Sequence, residues 1–278
     1  MIRDILVNLA QGVERDVAAD YAASLAVEFG AHLTGLSVAY EIDVPPFYMG
    51  ALPTDFIDAQ ILENQSSAEK AAARLEALAR ASGIPHEIRT LSASLGVAAN
   101  GFARMARLFD LTVVAQPDPD KPGPEEVLAE TVLLDSGRAV LVVPYIQEKK
   151  PFTAERAVIA WDGSRASARA LAEALPLLHR TKVVEVFRVV SAGSEEVDEE
   201  GLEVARHLAR HNLDAQVRRL PVSSGDSISA AILNEVSDQG ADLVVMGGYG
   251  HSRLKEMVLG GVTRDILASM TVPVLMAH

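Results

Sequence analysis

The sequence predicts an α/β protein made of two tandem half-domains, each a five-stranded, parallel, doubly wound sheet. Three observations predict it. Short β-branched runs alternate with longer helical patterns along the whole chain, which implies parallel strands joined by helical crossovers. The same order of elements returns in the second half. The length, 278 residues, suits two domains.

Ile2–Leu9 is mostly apolar, as a strand buried on both faces should be. Val13–Gly30 follows with Val17, Tyr21, Leu25 and Phe29 at helical spacing, and Gly30 reads as its stop. The pattern continues with a strand at His32–Ala39, a helix at Ala59–Ser82, a strand at His86–Leu91 and a helix at Val97–Leu108. A strand at Leu111–Ala115, a helix at Glu125–Ser136 and a strand at Ala139–Pro144 complete the first half. In the second half strands are expected at Ala157–Trp161, Val183–Val190, Ala215–Leu220, Leu243–Met246 and Val274–Ala277. Helices are expected between them at Arg165–His179, Glu196–Asn212, Ser227–Gln239 and Val258–Ser269. The halves run from 1 to 146 and from 155 to 278, joined by the polar stretch Gln147–Ala154.

The repeat is visible in residues. Arg3-Asp-Ile-Leu-Val echoes Arg156-Ala-Val-Ile-Ala, 153 positions apart, and Asp110-Leu-Thr-Val-Val echoes Asp242-Leu-Val-Val-Met, 132 apart. The first half thus holds about 21 more residues before its fourth strand, and Glu41–Asp58, rich in Pro, Phe, Tyr and Met, is the extra piece.

Composition excludes several classes. The net charge of −13 disfavours nucleic acid and anionic membranes, which reward Lys and Arg. The absence of cysteine removes disulfides, thiol nucleophiles and Cys-ligated zinc. The N-terminus does not read as a signal peptide, and the apolar stretch at Ala139–Ile146 is far short of the ~20 residues a membrane span needs. A cytoplasmic location is expected. His207 and His211 share a helix face, but Leu208 stands where a zincin helix has Glu, so a solvent-facing pair is the expectation.

The segment with the most chemistry is Gly247-Gly-Tyr-Gly250-His-Ser-Arg-Leu-Lys-Glu-Met-Val-Leu-Gly260-Gly-Val-Thr263, at the end of the fourth strand of the second half. Ligands of open parallel sheets sit outside the carboxyl ends of strands. Glycines there permit positive φ and close approach of the backbone, whose N–H groups cradle anions with the help of a helix N-terminus. No P-loop string exists, and Gly248-Tyr-Gly250-His-Ser-Arg253 lacks the third glycine of a dinucleotide fingerprint.

This segment resembles the universal stress protein family, whose nucleotide-binding members carry G-x2-G-x9-G-[ST]. Gly247, Gly250 and Gly260 have that spacing, and Val262-Thr263 continue the match; Gly261 departs, because the family prefers Ser or Thr there. The resemblance implies a Rossmann-like fold of the adenine-nucleotide-binding type, with ATP or a related adenine nucleotide in the second half. Asp162, in Ala160-Trp-Asp162-Gly-Ser164, is implied to lie by base or ribose; the segment Asp162-Gly-Ser also fits a helix N-cap. Main-chain groups of Val189 would read adenine, Met246 would line the base pocket, and phosphates would lie over Gly250, Gly260 and Gly261, with Gly247 and Val262 also in the nucleotide site. His251 stands as a phosphate contact or a solvent-facing residue. Mg2+ would only screen the phosphates.

The first half lacks these parts. Leu9-Ala10-Gln11 stands where Asp162 would be, Gln116 stands near the position of Gly247, and Glu126 takes that of Gly260. Pro117-Asp-Pro-Asp-Lys-Pro-Gly-Pro removes N–H donors and adds negative charge. One nucleotide per chain is therefore expected, in a regulatory protein with a protein partner not identified by the sequence. The alternatives are a slow nucleotide hydrolase using the same pocket and a ligand-free interaction module; no catalytic residue and no metal site are assigned. The short apolar last strands, Val140–Val143 and Val274–Met276, are expected to join the halves as an intramolecular pseudo-dimer, and a homodimer of full chains is a further expectation.

Overall fold

The computed structural model describes residues 1–41, 54–121, 123–149, 151–193, 198–249 and 261–278. The first half runs β1 (Asp4–Asn8), α1 (Val17–Phe29), β2 (His32–Tyr40), α2 (Thr54–Ala81), β3 (His86–Ala93), α3 (Leu95–Ala106), β4 (Leu111–Ala115), α4 (Glu125–Asp135) and β5 (Val140–Val143). The second runs β6 (Arg156–Ala160), α5 (Arg165–Leu178), β7 (Val183–Ser191), α6 (Glu199–Arg210), β8 (Ala215–Val222), α7 (Ile228–Asp238), β9 (Leu243–Gly247), α8 (Val262–Ser269) and β10 (Val274–Ala277). Most of the insertion expected at Glu41–Asp58 lies outside the described residues; its last part opens α2.

Local signals explain the boundaries. The Asp16 carboxylate accepts the Ala19 N–H and starts α1, and Gly30 ends it in the left-handed region at φ 59°. Ser164 and Ser227 cap α5 and α7 in the same way.

The strands form one ten-stranded sheet in the order β3-β2-β1-β4-β5-β10-β9-β6-β7-β8. Each half is parallel within itself. The two meet through one antiparallel pair, with Val274 opposite Val142, Leu275 opposite Leu141 and Met276 opposite Val140. This is the expected pseudo-dimer, and its cause is plain. Two apolar edge strands, each unable to leave its N–H and C=O groups unpaired, satisfy one another. Helices α1, α2, α5 and α6 cover one face of this sheet and α3, α4, α7 and α8 the other, giving one apolar core on each side.

Leu141 and Leu275 face each other across the seam, both fully buried. Leu275→Ala should cost ~3 kcal/mol, the usual range for a truncated core leucine. The drop should show in urea unfolding followed by far-UV circular dichroism and by the fluorescence of Trp161, the single tryptophan.

The ladder corrects one detail of the repeat. Ile5 pairs with Leu111 and Ala157 with Leu243, so Asp4, not Arg3, is the counterpart of Arg156. The visible echo of the two arginines is out of register by one residue.

Candidate functional site

The second half reverses its strand order between β6 and β9, because β7 pairs on one side of β6 and β9 on the other. A crevice opens at the carboxyl ends of strands at such a point. There Ala160 ends β6, paired with Phe187 and Met246, and Gly247 ends β9. Met246 is buried, and Ala160, Val189, Tyr249 and Val262 pack against the same core on the α7–α8 side. The structure thus gathers Ala160, Val189, Met246, Gly247, Gly261 and Val262 at one end of the sheet. Gly250, His251 and Gly260 lie outside the described residues.

The turn after β6 is fixed by its own groups. The Trp161 N–H donates to the Phe187 carbonyl at 2.9 Å. Asp162 is exposed, and its Oδ1 accepts the Ser164 N–H at 2.9 Å. Gly163 has φ 75°, a conformation that favours glycine. Ser164, not Asp162, is the N-cap of α5, its Oγ accepting the Ser167 N–H at 3.1 Å. The helix cap expected of Asp162-Gly-Ser is thus supplied by its serine, while the Asp162 carboxylate shapes the turn one step earlier.

Alternate residues of a strand address the same neighbour. Phe187 addresses β6, so Val189, two residues on, faces the same side. β6 ends at Ala160, and the Val189 main chain points into the gap beyond that end.

In the first half the same gap is filled. The ladders make Asn8 the counterpart of Ala160 and Leu36 that of Phe187, so Val38 corresponds to Val189 and Gln11 to Gly163. The Gln11 carboxamide Nε2 donates to the Val38 carbonyl. Asp16 reaches back to accept the Ala10 N–H at 2.8 Å, and Arg74 Nη2 donates to the Ala10 carbonyl at 2.5 Å. Burial raises the Asp16 carboxyl above the usual carboxylate range, against the lowering effect of its two N–H donors. Burial, with the Glu125 charge nearby, pushes the Tyr40 hydroxyl up. What space remains among Asn8, Ala10, Val114, Ala115, Glu125 and Leu128 is about 10 Å³, no more than one water.

The positive φ that glycines at the end of β9 would permit is not used by Gly247 or Gly248. Positive φ falls on Tyr249, at 52°, and on neither Gly247 nor Gly248. The Tyr249 N–H donates to the buried Thr263 hydroxyl at 3.0 Å, which ties the strand end to the first turn of α8. Gly247 is glycine for space: a Cβ there would lie 2.6 Å from the Ser167 nitrogen and 2.9 Å from the Ala166 carbonyl carbon, both backbone of α5. Gly248 faces Leu133 of α4, whose Cδ2 would be 2.9 Å from an added Cβ. The ladder also matches Gly247 to Ala115 and Gly248 to Gln116, one residue off the alignment that sequence suggests.

Residues outside the motif shape the rim. Arg188 binds Asp198 through Nε at 3.2 Å and Glu200 through Nη2 at 2.6 Å. Glu200 Oε1 would stand 2.5 Å from a Cβ at Gly163. The acidic start of α6 thus forms an ion-paired wall beside the turn. Sequence reading missed Arg188, Gly163 and Gln11; only the Gln11/Gly163 difference was available as a signal, and only once the register was known. The rings of His207 and His211 lie 4.8 Å apart, tilted at 59°, and among the described residues no group of three His, Cys, Asp or Glu could hold a metal. No helix of the described residues is long and apolar enough to cross a membrane.

Comparison with known proteins agrees with this architecture. The sequence model of the universal stress protein family matches residues 153–278. Universal stress protein YxiE of Bacillus subtilis is 29% identical over 143 residues, covering 44% of this chain and 97% of its own. Among solved structures, a universal stress protein from Archaeoglobus fulgidus superposes with a TM-score of 0.68 at 16% identity, covering 99% of this chain and 95% of that one. A protein of unknown function from Pseudomonas aeruginosa PAO1 gives 0.60 at 17%, covering 99% and 92%. Likeness at that identity carries the fold, and it spans both halves. The second half thus matches the universal stress protein family model, and the likeness to the solved structures shows that both halves share their fold.

Proposed function

We propose that the second half binds one adenine nucleotide, ATP or a close relative, and that occupancy regulates a stress-response protein with no nucleotide in its first half. The observation that carries this reading is the difference between Gln11 and Gly163. In the first half a side-chain amide occupies the Val38 carbonyl; in the second, the residue at that place has no side chain, and the Val189 main chain faces the gap. A donor on a ligand, such as the adenine amino group, would take the place of the Gln11 amide. Ala160 and Met246 offer the apolar wall that a base needs beside it. Asp162, exposed in the turn after β6, would meet a ribose hydroxyl. Phosphates would lie toward Gly261 and Val262 at the start of α8, where the helix presents its first N–H groups and its positive end. Gly261 supplies an N-cap without a side-chain hydroxyl, so the main chain would carry that contact. Mg2+ would act as counter-charge to the phosphates.

Protein purified gently and denatured with acid should release an adenine nucleotide, identified by mass spectrometry, at up to one equivalent per chain. Release of no nucleotide, together with no heat on titration with ATP, would favour the ligand-free interaction module. Steady phosphate release lost in Asp162→Ala would favour the hydrolase.

A further inference from the structure

Gln116 stands at the strand end of the first half, yet its side chain serves the second. It is buried, 2% exposed. Its Nε2 donates to the Leu267 carbonyl of α8 at 2.7 Å, its Oε1 accepts the Tyr145 N–H at 3.3 Å, and its own N–H donates to the Val143 carbonyl at 2.7 Å. Leu267 is in the last turn of α8, past the acceptor of the bond from the Met270 N–H to Ile266, where a helix leaves its carbonyls without helical partners.

α8 has eight residues, too few to be stable on local bonds alone. Among the described residues, three hydrogen-bond clamps from outside the helix hold it. Tyr249 donates to Thr263 at 3.0 Å, Ser229 Oγ to Asp265 Oδ2 at 2.9 Å, and Gln116 to Leu267. Only the last comes from the first half. The seam is pseudo-symmetric but the clamp is not. Gly248, the counterpart of Gln116, has no side chain to return the bond, and Leu133 of α4 covers it instead.

We propose that Gln116 is a positioning residue: from the first half it fixes α8, and with it Gly261 and Val262, at the candidate site of the second half. The residue at the strand end of the half that lost its own ligand parts thus holds the helix of the half that kept them. The consequence for affinity rests on the nucleotide-binding reading; the consequence for the order of α8 does not.

The test is hydrogen exchange on the full chain without nucleotide, comparing amides of α8 with those of α1, in wild type, Gln116→Met and Gln116→Glu. Gln116→Met removes both side-chain bonds without burying a charge. It should lower α8 protection by about tenfold and leave α1 unchanged, the size expected for one lost hydrogen bond. Gln116→Glu separates positioning from mere packing. As a carboxylate it would face the Leu267 carbonyl with no proton to give; as the acid it would donate. Burial raises its pKa, so α8 protection should be low at pH 8.5 and recover toward wild type at pH 5.5, at constant α1 protection. Unchanged α8 protection in both variants would overturn the proposal, as would an equal loss in α1 and α8 or no recovery with acid. In titrations with ATP, Gln116→Met should weaken binding about tenfold. If wild type takes up no ATP, the nucleotide reading falls and the exchange data alone decide the role of Gln116.

Discussion

Gly163→Gln is expected to weaken ATP binding at least tenfold, while Gly163→Ala stays within about threefold of wild type. Both variants put an L side chain at φ 75°, and both meet the Glu200 carboxylate, so they share that strain. They differ in the amide. Glutamine at this place reproduces Gln11 of the first half, where the carboxamide donates to the Val38 carbonyl. In the second half it would donate to Val189 and compete with the ligand for the group proposed to read the base. One hydrogen bond of that kind is worth about 1 kcal/mol, and exclusion of the base adds to it. Isothermal titration with ATP distinguishes the outcomes. Equal losses in the two variants would mean that strain in the turn, not occupation of Val189, is responsible.

Gly247→Ala is expected to lower folding stability by ~2–3 kcal/mol, the usual cost of forcing extra volume into a packed place. The added Cβ would meet backbone atoms of α5 at 2.6 and 2.9 Å, which cannot rotate away. Gly248→Ala should cost less, because the obstacle there is the end of the Leu133 side chain. The midpoint of urea unfolding, at unchanged slope, measures both. A Gly247→Ala protein as stable as wild type would contradict the close-packing account of this glycine and return it to the ligand.

Periodicity made much of this fold legible. Leu111–Ala115 and Val274–Ala277 are strands as read, and Gly30 ends its helix as read, because buried strands and helix stops leave local marks. The seam was legible too, since two short all-apolar edge strands have few other ways to satisfy their backbones. Register was less so. Matching Arg3 to Arg156 follows residue identity, whereas the ladder is set by which apolar side chains fill each core, and that puts Asp4 opposite. The roles of single residues were least legible. Whether Gly247 serves conformation, space or ligand depends on α5, eighty residues earlier in the chain, and Gln116 looked merely like a lost glycine until α8 was seen beside it. The notion of a degenerate first half came from missing residues. Its physical basis is a side chain, Gln11, that is present.

The central claim is that one half of a duplicated fold binds an adenine nucleotide and the other has closed its own site. Titration of ATP into the full chain, with stoichiometry taken from independently measured protein concentration, tests it most directly. The account predicts one site per chain, abolished by Gly250→Asp, which sets a carboxylate where phosphate is expected, and retained in Gln11→Ala. Two sites per chain, or a single site that survives Gly250→Asp, would contradict it.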